Sequence, residues 1–354
     1  MNDVESTHPT GPQTDAPAEA LTRAAAPSAY LEAAHRAIVH AAVLAPSVHN
    51  SQPWSFTRDD GGLDLYADVT RQLPALDPEG RLLRLSCGAA LLHAQVAARA
   101  QGLFGTLSLL PDTDDPAHLA RLDLTAGRPG SPADLALAEA VLHRHTHRGA
   151  FTATRLPDAL LQRLRVACEA QGAALVTVTG DDLLELEVLL AWADGLQEAD
   201  PAYRAEVAAS LRRGTSDDGI PLSALAADPE RGSSLRLRDF AHVAPARGGE
   251  DPPVPEKPDV VLVVTDGDGP YAWLQAGQAM AAVLLGAAQE SVMGQPLAQV
   301  TDFPAARVRL RAALGLIGTP PMALRLGYAN GTAATPRRQL DDVLSVTVAD
   351  PARG

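Results

Sequence analysis

Apolar residues recur at helical spacing from about Ser28 to Ala45, where Leu31, Ala34, Ile38, Ala41 and Ala45 share one face and predict a first helix. Two short runs follow, Trp54–Arg58 and Leu63–Ala67, split by Asp59-Asp60-Gly61-Gly62; this is the pattern of two strands joined by a hairpin turn. A second helix is predicted over 80–101, closed by Gly102, with further strands at Thr106–Leu110 and Leu122–Leu124. The next helix, Ser131–His147, opens with Ser131 as N-cap, Pro132 at its first position and Asp134 completing a capping box. A helix around 160–171 then runs into a strand at Ala173–Val178. Between about 200 and 257 the chain turns irregular and rich in Gly, Pro, Ser and Asp. The sheet pattern resumes as an unbroken apolar run at Asp259–Thr265. A loop-rich stretch of that length inside a compact domain is usually functional or disordered.

The two parts of the chain echo each other. Cys87-Gly88-Ala89-Ala90-Leu91 matches Ala276-Gly277-Gln278-Ala279-Met280 at an offset of 189 residues, and the match runs without a gap to Gly105 and Gly294. Each copy is an Ala- and Leu-rich helix leading through Gly into a strand, which points to an internal duplication.

Composition narrows the class. The 354 residues suit one large domain or two ordinary ones, and 46% of them are hydrophobic but only 4% aromatic, so the core is built from Ala, Leu and Val. With 29 basic against 43 acidic residues, the net charge of −14 argues against nucleic acid or an anionic membrane as partner. No apolar run approaches the roughly 20 residues that span a bilayer. Residues 1–25 carry Glu5 and Asp15 where a signal peptide is basic, and their Pro, Ala and Thr predict a disordered tail. Two cysteines, Cys87 and Cys168, are too few for a disulfide framework and fit the reducing cytoplasm. Cys168, behind Leu160, Leu161, Leu164 and Val166, reads as a buried small hydrophobe rather than a nucleophile.

The candidate chemistry is concentrated in the junction between the first helix and the first strand, Ala45 to Phe56. Ser47, His49, Asn50, Gln52 and Trp54 supply donors and acceptors suited to flat heterocycles and polyols. Pro46 stops the helix, and Pro53 is expected to force Gln52 into an extended conformation. The same residues would equally satisfy a turn, with Trp54 anchoring the strand in the core. Further on, Arg144 and Arg148 stand four apart, on one face if the helix continues, with the Thr146 hydroxyl between them; this set suits a phosphate monoester, or a basic helix C-terminus that complements the dipole. His143 and His147 invite a metal, but no Cys or carboxylate nearby in sequence completes a site, so none is assigned.

Ala45–Phe56 resembles the Pro-Ser-x-x-Asn-x-Gln-Pro-Trp signature of the nitroreductase-like flavoproteins, and His49 before Asn50 is similar to the mycobacterial-type Acg subgroup. The resemblance implies an α+β, three-layer α/β/α fold of two fused nitroreductase-like halves forming a pseudo-dimer, with boundaries at 26–129 and 130–354 and a lid at about 200–257. It implies FMN, one per chain, with Ser47, His49, Asn50, Gln52 and Trp54 against the ring and ribityl chain. His143 to Phe151 resembles the family's Arg-x-Ser-x-Arg phosphate grip, with Arg144, Thr146 and Arg148 in its three places and Thr for the usual Ser. Thr335-Pro336-Arg337-Arg338-Gln339-Leu340 resembles its closing Pro-Arg-x-x-Leu, which puts Arg337 on the same phosphate; an exposed basic pair is the other reading. Gln295, Pro296 and Leu297 match the loop that backs the flavin's reactive face. The turn and the arginine motif occur once each, in different halves, so a single composite site is expected. The implied activity is hydride transfer from NAD(P)H to FMN and on to a nitro compound, quinone or similar small acceptor, with the flavin carrying the chemistry and no catalytic side chain. The alternative is an FMN-sequestering or storage protein whose lid, with His49 narrowing the site, restricts turnover. No Gly-x-Gly-x-x-Gly fingerprint marks a separate nicotinamide site. The chain is expected to be a monomer with an internal pseudo-dimer, or a homodimer.

Overall fold

The computed structural model describes residues 28–225, 235, 257–331 and 334–346. The tail expected over 1–25 lies outside the described residues, as does most of 226–256 from the expected lid.

The first part of the chain runs α1 (Ser28–Ala42), β1 (Trp54–Arg58), β2 (Gly62–Ala67), α2 (Arg81–Ala100), β3 (Leu107–Leu109) and β4 (His118–Asp123). After α3 (Pro132–His143) come α4 (Asp158–Glu169), β5 (Ala174–Val178), α5 (Asp181–Ala199), α6 (Pro201–Ser210), β6 (Asp259–Thr265), α7 (Pro270–Ala288), β7 (Met293–Pro296), α8 (Gln299–Asp302), α9 (Pro304–Ala313), β8 (Thr319–Gly327) and β9 (Leu344–Val346). The strands form two main sheets, ordered β9-β1-β2-β4-β3 and β5-β6-β8-β7. Without β9 the orders are equivalent: an antiparallel pair, then a strand from beyond the long helix, then the short strand that follows that helix. All of these neighbours are antiparallel. This duplicated order is the two-half architecture that the 189-residue repeat implied.

Sequence patterning accounts for how each sheet is covered. In β2, Leu63 and Leu65 are buried while Asp64 and Tyr66 are half-buried, because the outer face of that sheet meets solvent. Arg121 on that face binds Asp59, Asp64 and Asp123. The β6 run Val260-Val261-Leu262-Val263-Val264 is buried throughout, since α7 covers one face of its sheet and α5, α8 and α9 cover the other.

The halves meet where α2 crosses α7, and the repeated glycines mark the closest approach. A Cβ on Gly88 would stand 2.3 Å from the Leu274 carbonyl oxygen; a Cβ on Gly277 would stand 2.1 Å from that of Leu85. Leu274 and Leu85 are themselves partners at the 189-residue offset, so the two contacts are one contact seen from either side of a pseudo-twofold axis.

Two departures break the symmetry. The link from α1 to β1 spans residues 43–53 and carries the Ser47–Gln52 turn, whereas its counterpart from α4 to β5 is only 170–173. Secondly, β9 crosses from the end of the chain to pair in parallel with β1, Phe56 against Leu344; among the described residues the equivalent edge of β5 has no such strand.

Gly88→Ala and Gly277→Ala are each expected to destabilise the fold by about 2–3 kcal/mol through overpacking. The double variant should lose less than the sum, because both act on one crossing. Urea denaturation of the three variants checks this; additive or negligible losses would contradict the crossing as described.

Candidate functional site

The predicted helix over 131–147 stops early. Ser131 caps it as expected, its Oγ accepting from Asp134 N at 3.2 Å while Asp134 Oδ2 accepts from Ser131 N at 2.9 Å. The helix ends at His143, and residues 144–148 run extended. Thr146 bridges to Gly294 of β7, and His147 N donates to Gly294 O at 3.1 Å. Pairing to a strand of the same half outweighs one more helical turn. Arg144 and Arg148 are therefore not i and i+4 neighbours on a helix, and Arg144, Thr146 and Arg148 recur with the two-residue period of extended chain.

The first helix likewise ends at Ala42, not Ala45, and the turn after it is unusual. His49, Asn50 and Gln52 have φ of 45°, 56° and 50°. Asn adopts this left-handed region readily; His and Gln rarely do. Gln52 is thus not extended, despite Pro53. Tertiary bonds override the local preference: Gln52 N donates to Ser47 Oγ (3.0 Å), Gln52 Nε2 to Asp217 O (2.7 Å), and Gln52 Oε1 accepts from Arg338 N (2.8 Å). Asn50 Nδ2 donates to Gly219 O and Pro336 O, each at 3.0 Å, and Asn50 Oδ1 accepts from Arg337 Nη1 at 3.1 Å. Val48 N donates to Ser86 Oγ of α2. Backbone strain of this size, of order 1–3 kcal/mol per residue, persists only where the surroundings over-determine it, and it clusters at ligand sites.

Between this turn, α2, α7 and β7 lies a cavity. Ser47, His49, Thr146, Arg148, Gln295 and Pro296 are all on its wall, together with Leu82, Leu85, Met280, Met322 and Gln299. Behind Arg148, Arg144 and Arg337 converge on the Leu44 carbonyl past the end of α1, at 3.0 and 3.2 Å. Among the described residues no carboxylate lies within ion-pair distance of Arg144, Arg148 or Arg337. Arg144 Nε, Arg148 Nη1 and Arg337 Nε are shielded from solvent without a hydrogen-bond partner. Burial, then repulsion from Arg337 and Arg148, pushes Arg144 down to about 9; burial, then Arg148, pushes Arg337 down to about 10; burial alone brings Arg148 to about 10. Three like charges held together in poor solvation are an arrangement suited to an anion.

No family model matches the chain. Among relatives, Acg of Mycobacterium tuberculosis, provisionally assigned as an NAD(P)H nitroreductase, is 32% identical over 326 residues, 89% of this chain and 96% of its own length. The chain belongs to this nitroreductase-like family. A second provisionally assigned NAD(P)H nitroreductase of that organism is 31% identical over 315 residues, 87% of this chain and 90% of its own. Among solved structures, a nitroreductase with bound FMN from Desulfitobacterium hafniense aligns at a TM-score of 0.39 with 16% identity, over 61% of this chain and 98% of that one. An FMN-dependent nitroreductase from Mycobacterium smegmatis in complex with NADPH aligns at 0.36 with 17% identity, over 58% and 96%.

Not every residue singled out by the nitroreductase-like signature reaches the cavity. Trp54 is fully buried in the core on β1, and Leu297 is buried in the second core cluster, its N–H donating to Ala323 O at 2.8 Å. Asn50 and Gln52 are buried behind the turn, where they clamp Asp217–Gly219 and Pro336–Arg338 to it. Sequence reasoning missed Arg338, whose guanidinium donates to the carbonyls of Gln52, Trp54 and Asp342. It also missed Ser86 and Gln299, two further polar residues on the cavity wall. His147 packs on Phe151, with ring centroids 4.9 Å apart, and among the described residues no group of three or more His, Cys, Asp or Glu is placed to hold a metal. Burial raises both thiols, Cys168 to about 12.

His93 of α2, fully buried beside this site, has its Nδ1 3.3 Å from Ala41 O. Burial, with Arg144 next in effect, drops it to about 3. In the unfolded chain it takes a proton below pH 6.5, so its contribution to stability is full above that pH and drains away toward pH 3. Between pH 7.5 and 5 this amounts to about 2 kcal/mol. His93→Leu should flatten the pH dependence of urea unfolding by about that much; an unchanged slope would contradict a neutral, buried imidazole.

Proposed function

We propose that the chain binds one FMN in this cavity and acts as an NAD(P)H-dependent oxidoreductase of nitro compounds, quinones or similar small acceptors. The observation that carries the reading is the arginine triad: among the described residues no carboxylate pairs with Arg144, Arg148 or Arg337, and their unpartnered nitrogens fit a phosphate monoester through charge-assisted hydrogen bonds. The residues fit the rest of the group as well. Ser47 and Thr146 bring hydroxyl-bearing side chains to the cavity that Arg148 lines, and Met280, Met322, Leu82 and Leu85 give a flat ring an apolar bed. When bound, the flavin supplies hydride acceptance and donation itself. The protein's own residues then have three tasks: Arg148 and Arg337 hold the phosphate, the strained turn fixes one wall, and β7 with Gln295 and Pro296 fixes the other. Gln295 is held in turn by Arg325, whose Nε donates to its Oε1 at 2.6 Å. With two buried free thiols and a nicotinamide donor, such an enzyme belongs in the reducing cytoplasm. The two halves join near residues 129–130, ahead of α3.

A storage or sequestering role is a second reading, and one observation favours it. Residues 211–221 strap across the turn: Asp218 binds both Arg71 (2.9 Å) and Arg212 (2.7 Å), Gly219 N donates to Asn50 O, and Ile220 stands on the cavity wall. Such a strap restricts the approach of nicotinamide and acceptor alike.

Arg148→Ala and Arg337→Ala should each weaken FMN binding roughly 10- to 100-fold, since each removes a charge-assisted contact. Flavin fluorescence quenching measures this, and unchanged affinity in both removes the phosphate assignment. Purified protein loaded with FMN should lose its yellow colour when NADPH is added without oxygen. Asp218→Ala, which frees the strap, should speed that bleaching several-fold; an equal rate would count against a covering role for residues 211–221.

A further inference from the structure

One cavity residue is left over when the phosphate grip and the apolar bed are accounted for. Gln299, the first residue of α8, is 2% exposed and lies on the cavity wall, and its Nε2 has no hydrogen-bond partner. The cavity lining also carries the oxygens of Ser47, Ser86, Thr146 and Gln295, yet none of them accepts from Gln299 Nε2. A buried amide donor left unmade is costly, so it persists where a ligand satisfies it.

The position of Gln299 is also fixed independently of any ligand. Three residues on, Asp302 is held in a buried ion pair with Arg81 of α2 at 3.3 Å and accepts from Gln197 Nε2 of α5 at 2.7 Å. Arg307 Nη1 donates to Thr301 O at 2.9 Å. Helices from both halves thus pin the four-residue α8, and the amide at its start is presented on a rigid support.

We infer that Gln299 is the residue that reads the ring of the bound heterocycle, donating from Nε2 to a carbonyl oxygen or unprotonated ring nitrogen at the ring's edge. This inference rests on the flavin reading of the cavity. A neutral donor among apolar side chains matches an uncharged, acceptor-bearing edge, whereas the triad of guanidiniums matches the phosphate at the other end of the ligand.

The test separates the two ends by using FMN and riboflavin, which share the ring and differ in the phosphate. Gln299→Leu should weaken both ligands by about 10-fold, whereas Arg337→Ala should weaken FMN and leave riboflavin unchanged. Gln299→Glu, which keeps the size but replaces the donor by an acceptor, should weaken both at least as much as Leu does. Without flavin, Gln299→Leu should melt at or above the wild-type temperature, because it removes an unsatisfied buried amide; a residue needed for structure would lower it. Wild-type affinity for both ligands in Gln299→Leu overturns the assignment, as does a loss confined to FMN, which would put Gln299 at the phosphate. Failure of the wild-type protein to take up FMN at all overturns the flavin reading itself, an outcome distinct from either.

Discussion

The crossing of α2 over α7 is the constraint from which the rest of the geometry follows. Two glycines at matching positions let the backbones approach until each would-be Cβ lies inside a carbonyl contact of the other helix. That approach sets α2 of one half and β7 of the other on the wall of the same cavity. The candidate site is built across this junction: the Ser47–Gln52 turn comes from the first half, and Arg144, Thr146, Arg148, Gln295 and Arg337 come from beyond it. Fusing two halves into one chain makes their meeting independent of concentration, so a composite site is available in every folded molecule.

Such a site stores free energy in two forms, strain and unpaired charge. Three left-handed non-glycine residues within four positions, and three guanidiniums that pair with no carboxylate among the described residues, each cost stability on their own. The surrounding structure offsets them. Asn50, Gln52 and Arg338 make a dense set of bonds around the turn, and the Leu44 carbonyl takes a donor from both Arg144 and Arg337. An incoming phosphate dianion would relieve the repulsion among the arginines, which places the cost in the free protein and the gain in the bound one.

Much of this was legible in the chain. Strands Trp54–Arg58 and Asp259–Thr265, the capped start of α3 at Ser131 and the glycine repeat all follow from local pattern, because each is decided by its own side chains. What the pattern misjudged was decided at a distance. The end of α3 at His143 depends on Gly294, about 150 residues on, and the left-handed Gln52 depends on Asp217 and Arg338. The same distance hid Arg338 and Gln299, whose roles exist only once the halves meet. For Trp54 the sequence offered two readings, a ligand contact and an anchor of the strand, and its side chain is buried in the core on β1.

The two halves differ most where the Ser47–Gln52 turn sits. A turn between α4 and β5 equivalent to Ser47–Gln52 would need six residues, but that link is 170–173, only four. The same half that lost the turn acquired length elsewhere. Where β1 and β2 are joined by a tight hairpin, β5 and β6 are separated by α5, α6 and the strap at 211–221, which reaches over to the surviving turn.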